Sequence, residues 1–145
     1  MLLLNTHPDR NKPFEELDRE VFAPSAVNEA LQYARARPGY APTRLVELPE
    51  LARKHCVAAV HVKDESTRFG LGSFKALGGA YAVIRLALEQ ASDALGRMVA
   101  IGELQSEAVR AVAVRMVVAC ATDGNHGKSV AQGAALVGAR SVIFV

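Results

Sequence analysis

Apolar residues recur along this chain in two ways: at helical spacing between polar positions, and in short unbroken runs rich in β-branched side chains. The first helical pattern covers Ser25 to Ala36, with Val27, Leu31 and Ala34 on one face and Ser25 placed to cap it. Arg37-Pro38-Gly39 ends it. Tyr40 to Pro42 reads as extended, Thr43 to Val46 as a short strand, and Pro49 to His55 as a helix with proline in its first turn. Val57 to Val62 is short and apolar, which predicts a buried strand; His61 on it reads as a packed core or edge histidine rather than a ligand. A long helical pattern starts at Lys75 and runs to about Ala91, with Ser92 to Gly96 as a connection. Glu103 to Met116 reads as an amphipathic helix or as a helix running into a strand. Met116 to Ala121 predicts a strand, Lys128 to Val137 a helix stopped by Gly138, and Ser141 to Val145 another buried strand. Residues 1–13, punctuated by Asn5, Pro8, Asn11 and Pro13, hold no periodic pattern and read as a mobile arm.

The order strand, helix, strand with short connections predicts an α/β arrangement with parallel pairing and a right-handed crossover. The final strand leaves an open sheet edge. Composition adds exclusions. The chain has 145 residues, which suits one domain, and half of them are hydrophobic, as in an ordinary soluble globular protein. A net charge of +2 is too small to argue for nucleic acid. No apolar run approaches a membrane span, and Leu2-Leu3-Leu4 is too short for a signal peptide. Cys56 and Cys120 each lie beside or within an apolar run and read as reduced, buried thiols of a cytosolic protein. There is no metal-ligand spacing.

Two strand-to-helix turns carry the candidate chemistry. In the first, Lys63-Asp64-Glu65-Ser66-Thr67-Arg68-Phe69-Gly70-Leu71-Gly72-Ser73-Phe74-Lys75, one amine stands at a helix start. A lysine there is either a solvated surface residue or an amine kept reactive by its surroundings. Phe74 is expected to shield it, Gly70 and Gly72 allow a close backbone approach, and Ala76-Leu77-Gly78-Gly79-Ala80 is too small to cover it. An amine in such a pocket attacks a carbonyl to form a Schiff base. Lys63, Asp64, Glu65 and Arg68 read as charges that pair with one another, or else as a functional cluster. In the second turn, Ala121-Thr122-Asp123-Gly124-Asn125-His126-Gly127, backbone N–H groups at a helix start favour an anion, while the same residues also suit a plain capped turn.

Ser73-Phe74-Lys75 followed by Gly124-Asn125-His126-Gly127 resembles the tryptophan-synthase-like (fold type II) pyridoxal-phosphate enzymes. With Gly39-Tyr40-Ala41-Pro42-Thr43, Val62-Lys63-Asp64-Glu65, Arg68-Phe69-Gly70-Leu71 and Ala121-Thr122-Asp123 added, the wording is similar to the ammonia-lyases of that group that act on diaminopropionate. The motifs run from about Pro38 to the end of the chain. Asp123 discriminates most, because related dehydratases carry a small residue there. Arg44, where the group often has proline, and Lys128, where arginine is common, depart from the pattern; Lys128 reads as a surface or interface charge.

The resemblance implies a three-layer parallel-sheet α/β fold, present here as an N-terminal fragment. Residues 1–37 would be an arm and first helix, and 38–145 the first part of the catalytic region, cut before the family's glycine-rich phosphate loop. It implies pyridoxal 5'-phosphate as cofactor and α,β-elimination of D- and L-2,3-diaminopropionate to pyruvate and ammonia. Lys75 would hold the cofactor and remove the Cα proton. Asn125 would hydrogen-bond the cofactor's ring oxygen. Thr122, Gly124, Asn125 and His126 would bind the substrate carboxylate, and Asp123 would be a second base on the opposite face. His126 would touch the cofactor or only cap its helix. The whole enzyme would be a cytoplasmic homodimer of amino-acid catabolism, without metal, nucleic acid or membrane. The alternatives are a serine/threonine dehydratase-like enzyme and a non-catalytic fragment; the 145-residue chain alone is expected to be inactive.

Overall fold

The computed structural model describes residues 3–145. The chain divides into two compact units between Leu31 and Gln32. The first two positions of the expected arm, and Leu2 of the leucine triplet, lie outside the described residues.

In the first unit, Pro8–Asn11 forms a 3-10 turn, followed by a helix, α1 (Glu16–Val21), that the sequence pattern did not predict. Its six residues carry apolar side chains only at Leu17 and Val21, too few for a periodic signal. Local bonds set its start: the Glu15 N–H donates to Asp18 Oδ2 at 3.0 Å. Phe14 and Phe22 stack across it with ring centroids 5.9 Å apart. A second helix, α2 (Pro24–Ala36), begins in this unit, one residue before the expected Ser25, and ends in the next.

The second unit opens with an antiparallel strand pair. β1 (Arg44–Glu47) pairs with β2 (His61–Asp64), Arg44 opposite Asp64 and Glu47 opposite His61. The short helix α3 (Pro49–Lys54) lies between them. β2 starts four residues later than the apolar run predicts and is mostly exposed, so the expectation of a buried strand over Val57 to Val62 is corrected. The reason is the way α3 ends. Cys56 adopts a left-handed conformation (φ 52°), its N–H bonds Arg53 O at 3.2 Å, and the Val57 N–H bonds Ala52 O at 3.1 Å. That double bond is the stop glycine usually makes, and it spends Val57 on a turn. His61 is an exposed strand-edge residue. The two thiols are likewise not buried as expected: Cys56 is exposed and Cys120 half-buried.

The core is built by five further elements. α4 (Lys75–Leu95) runs four residues beyond the expected end and stops at Gly96, φ 63°. After a 3-10 turn, α5 (Glu107–Ala113) begins where the Ser106 side chain accepts the Val109 N–H, so the Glu103 to Met116 segment is helical over its middle. β3 (Val117–Ala121) and β4 (Arg140–Phe144) pair in parallel, as predicted, with Val117 opposite Arg140 and Ala121 opposite Phe144, but β4 is mostly exposed, which corrects the expectation of a buried strand over Ser141 to Val145. α6 (Asn125–Val137) connects them, starting three residues earlier than its apolar pattern. Val83, Ile84, Ala87, Leu88 and Ala91 of α4 pack with Val109 and Ala113 of α5 and Val130, Ala134 and Val137 of α6. The α/β class read from the sequence holds. Among the described residues no helix is long and apolar enough to cross a membrane.

Candidate cofactor and substrate site

The segment leading to Lys75 is held by buried charge. Arg68 donates Nε to Glu65 Oε2 at 2.7 Å and Nη2 to Glu65 Oε1 at 3.0 Å. It also reaches Ala41 O at 2.8 Å and Thr43 Oγ1 at 3.0 Å. These contacts, with the Thr43 hydroxyl, hold the Glu65 carboxyl down at about 2. Asp64 is bonded by Ser66 and Arg44 and is likewise lowered to about 2. Lys63 Nζ donates to Thr43 O. Within the cluster Glu65 pairs with Arg68, while Lys63 bonds Thr43, Asp64 bonds Arg44 and Ser66, and Arg68 also bonds Ala41 and Thr43; together they tether the residue 41–44 stretch, which favours the structural one of the two readings.

Past this clamp the backbone turns left-handed three times, at Phe69 (φ 48°), Gly70 (φ 72°) and Gly72 (φ 64°). For a phenylalanine this conformation is costly and must be held from outside. Lys75 follows as the first residue of α4, its N–H donating to Ser73 Oγ at 3.2 Å. Phe74 does not shield it: its side chain is exposed, and so is Lys75. The amine stands open at the helix start.

The second turn joins β3 to α6. The Thr122 N–H donates to Phe144 O at 2.8 Å, continuing the sheet ladder for one residue. Asp123 is exposed and makes no side-chain hydrogen bond among the described residues. Gly124 is the N-cap, no side chain caps α6, and no acid sits in its first turn. Asn125 is therefore the first helical residue, with uncapped N–H groups around it, the arrangement that suits a carboxylate or phosphate. His126 is exposed. Gly127 is required for packing, since a Cβ there would fall 2.6 Å from Thr122 Cγ2 and 2.9 Å from Ile143 Cγ2.

Small residues hold α4 against α6. A Cβ on Gly79 would lie 2.9 Å from Ser129 Oγ, and one on Gly133 only 2.8 Å from Ala80 Cα. The Ala80 N–H donates to Ser129 Oγ at 3.0 Å. Gly79 is four residues into α4 from Lys75, and Ser129 four residues into α6 from Asn125. Each start thus lies about 6 Å along its own helix from a shared contact. Ala80 also meets Gly133, so small residues hold the two helices in close contact. Lys75 and the Thr122 to His126 turn each stand about one helical turn from that crossing. Sequence reasoning found both turns. It missed Arg37, which is 5% exposed and bonds both α4 and α6. A cation before Pro-Gly gives no signal beyond helix termination.

The donor set fits an amine-anchored, anionic cofactor. It offers a primary amine, the Asn125 carboxamide, the Thr122 hydroxyl and free helix-start N–H groups. Gly78, one turn past Lys75, faces open space: a Cβ there would meet nothing within 4 Å. Among the described residues no group of three or more His, Cys, Asp and Glu side chains is placed to hold a metal ion.

The unit thus carries an exposed lysine at the start of α4 and an uncapped, anion-ready turn at the start of α6. The chain belongs to the pyridoxal-phosphate dependent enzyme family, whose signature matches residues 36–145. It is 39% identical over 136 residues to the diaminopropionate ammonia-lyase of Escherichia coli strain K12, covering 93% of this chain and 33% of that one. The diaminopropionate ammonia-lyase of Salmonella typhimurium strain LT2 is 34% identical over 118 residues, 81% of this chain and 29% of its own length. The fold is similar to the apo crystal structure of the Escherichia coli enzyme, with TM-score 0.70 and 40% identity over 82% of this chain and 31% of that one. It is also similar to the same enzyme in complex with D-serine, with TM-score 0.69 and 38% identity over 85% of this chain and 30% of that one. The chain spans about a third of the length of the curated relatives it matches.

Proposed function

We propose that residues 36–145 supply the lysine-bearing half of the site of a pyridoxal-phosphate-dependent ammonia-lyase acting on D- and L-2,3-diaminopropionate. The observation that supports this reading is the pair of helix starts, each about one turn from the α4 and α6 crossing: Lys75 open at one, Asp123 unpaired beside the uncapped start of the other. Similarity to the diaminopropionate ammonia-lyases over most of this chain supports the substrate.

Pyridoxal phosphate, held by Lys75 and hydrogen-bonded by Asn125, would act as the electron sink that makes a Cα proton removable. The chain's own residues then have separable tasks. The N–H groups from Thr122 to His126 bind and orient the substrate carboxylate. The Lys75 amine takes the proton from one face of Cα, and the Asp123 carboxylate takes it from the other, so that both isomers react. The substrate's β-amino group leaves as ammonia, and hydrolysis of the remaining enamine by one water gives pyruvate and a second ammonia. The same reading makes the full-length enzyme a cytoplasmic homodimer of amino-acid catabolism.

Asp123→Asn in a full-length enzyme carrying this segment keeps the shape and removes the base. Turnover of D-diaminopropionate should fall by about 10²–10⁴-fold, and the L isomer much less. Equal losses for the two isomers would remove Asp123 from the chemistry. Faster turnover of serine or threonine than of diaminopropionate would favour a dehydratase instead.

A further inference from the structure

Lys75 stands between two backbone carbonyls that a single pair of side chains occupies. Gln132 of α6 donates Nε2 to Phe69 O at 3.0 Å, and Arg37 donates Nη1 to Ala76 O at 2.7 Å. The pair is joined, Arg37 Nη2 to Gln132 Oε1, at 2.8 Å. The Arg37 guanidinium lies over the Phe69 ring, 3.7 Å from its centroid. So the residue six positions before the amine and the residue just after it are tied to one point.

That point is on α6. Gln132 is seven residues beyond Asn125, two turns along the same helix face. The tie therefore refers the Lys75 segment to the very helix whose start forms the other half of the site. Two features show that the tie is under load. Phe69 is held left-handed, at φ 48°, a conformation a bulky side chain leaves when released. Arg37 is buried, and among the described residues no carboxylate bonds it; burial and the neighbouring Arg68 charge lower it to about 10. A buried cation without a counter-ion opposes folding, and here it is retained where it fixes the amine's surroundings.

We propose that Arg37 and Gln132 are positioning residues that set the place of Lys75 against the start of α6. This rests on Lys75 being the cofactor-bearing amine.

Gln132→Met keeps the side chain's shape and removes both bonds. In the 145-residue chain, hydrogen exchange should quicken about three- to tenfold at residues 70–77, the worth of one or two lost hydrogen bonds. Exchange in β3 and β4 should stay as in the parent. Unchanged exchange at 70–77, or an equal rise across β3 and β4, would overturn the proposal. Arg37→Lys, which keeps the charge and one donor, should give a smaller rise confined to the same residues. It is read by the same criterion if Gln132→Met does not fold. Treating the same samples with pyridoxal phosphate and borohydride reads the amine itself: the preference of label for Lys75 over Lys63 should fall in Gln132→Met. Parent chain labelled away from Lys75 would defeat the proposed function, whereas parent label at Lys75 with an unaltered preference in the variant would defeat only the positioning role.

Discussion

Lys75 and Gly79 lie one turn apart on α4, and Asn125 and Ser129 one turn apart on α6, yet their surroundings are opposite. At the crossing, glycine and serine sit so close that no further atom fits: Gly79 against Ser129, Gly133 against the Ala80 backbone. At the helix starts the amine is exposed, the second turn is uncapped, and Gly78 looks onto open space. The adjacent glycines Gly78 and Gly79 mark the border. Both weaken the helix by about 1 kcal/mol relative to alanine, but only Gly79 is required by packing within this chain. The closed seam fixes where the starts stand, and the open starts are left free for chemistry.

Substitutions should separate the two regions. The largest expected change is at the seam: Gly133→Val places a branched side chain on the Ala80 backbone and should cost toward the upper end of about 1–3 kcal/mol, seen as a lowered Tm. A neutral outcome would mean the crossing is looser than its geometry. Next comes the clamp on the loop between the regions. Glu65 has its pKa lowered from 4.5 to about 2, so its contribution to stability is fully present above about 4.5 and is lost as pH falls through about 2. Glu65→Gln should cost toward the lower end of about 1.5–3 kcal/mol at pH 7 and almost nothing near pH 2. Denaturant midpoints across that range check it; a cost independent of pH would assign the loss to shape rather than charge.

Gly78→Ala belongs to the open region and should stabilise the chain by about 1 kcal/mol, because its methyl meets nothing. If that face is kept clear for a cofactor ring, the same variant should take up pyridoxal phosphate less readily. Stabilisation without loss of uptake would show that the ring lies elsewhere. The smallest effect is expected far from both regions. Cys56→Gly relieves a left-handed cysteine, and after the added backbone entropy should gain about 0.5 kcal/mol in denaturant titration.

Much of this was legible in the residues, for definite reasons. The parallel pair β3 and β4 follows from two apolar runs flanking one helical pattern. The two turns stood out because each lies between an apolar run and a helical pattern, and because their motifs recur together in the resembled family, although each alone also suits a plain turn. Other features left no trace. The run from Val57 to Val62 looked like a buried strand because nothing in Cys56 signals a left-handed helix stop. Phe74 looked like a shield because an aromatic beside a lysine does not show which way it faces. Arg37 read only as part of a helix stop, since its partners Ala76 and Gln132 are distant in sequence and brought to it by the packing of α4 and α6. Contacts between residues 39 and 95 positions apart have no local signature.

The central claim is that the amine at the start of α4 is the group this end of the molecule is built to present. Reduction with borohydride after exposure to pyridoxal phosphate, followed by peptide mapping, tests it directly. The account predicts label at Lys75, and loss of that label in Lys75→Ala with Tm unchanged because the side chain is exposed. Label concentrated instead on Lys63 or Lys128 would contradict it.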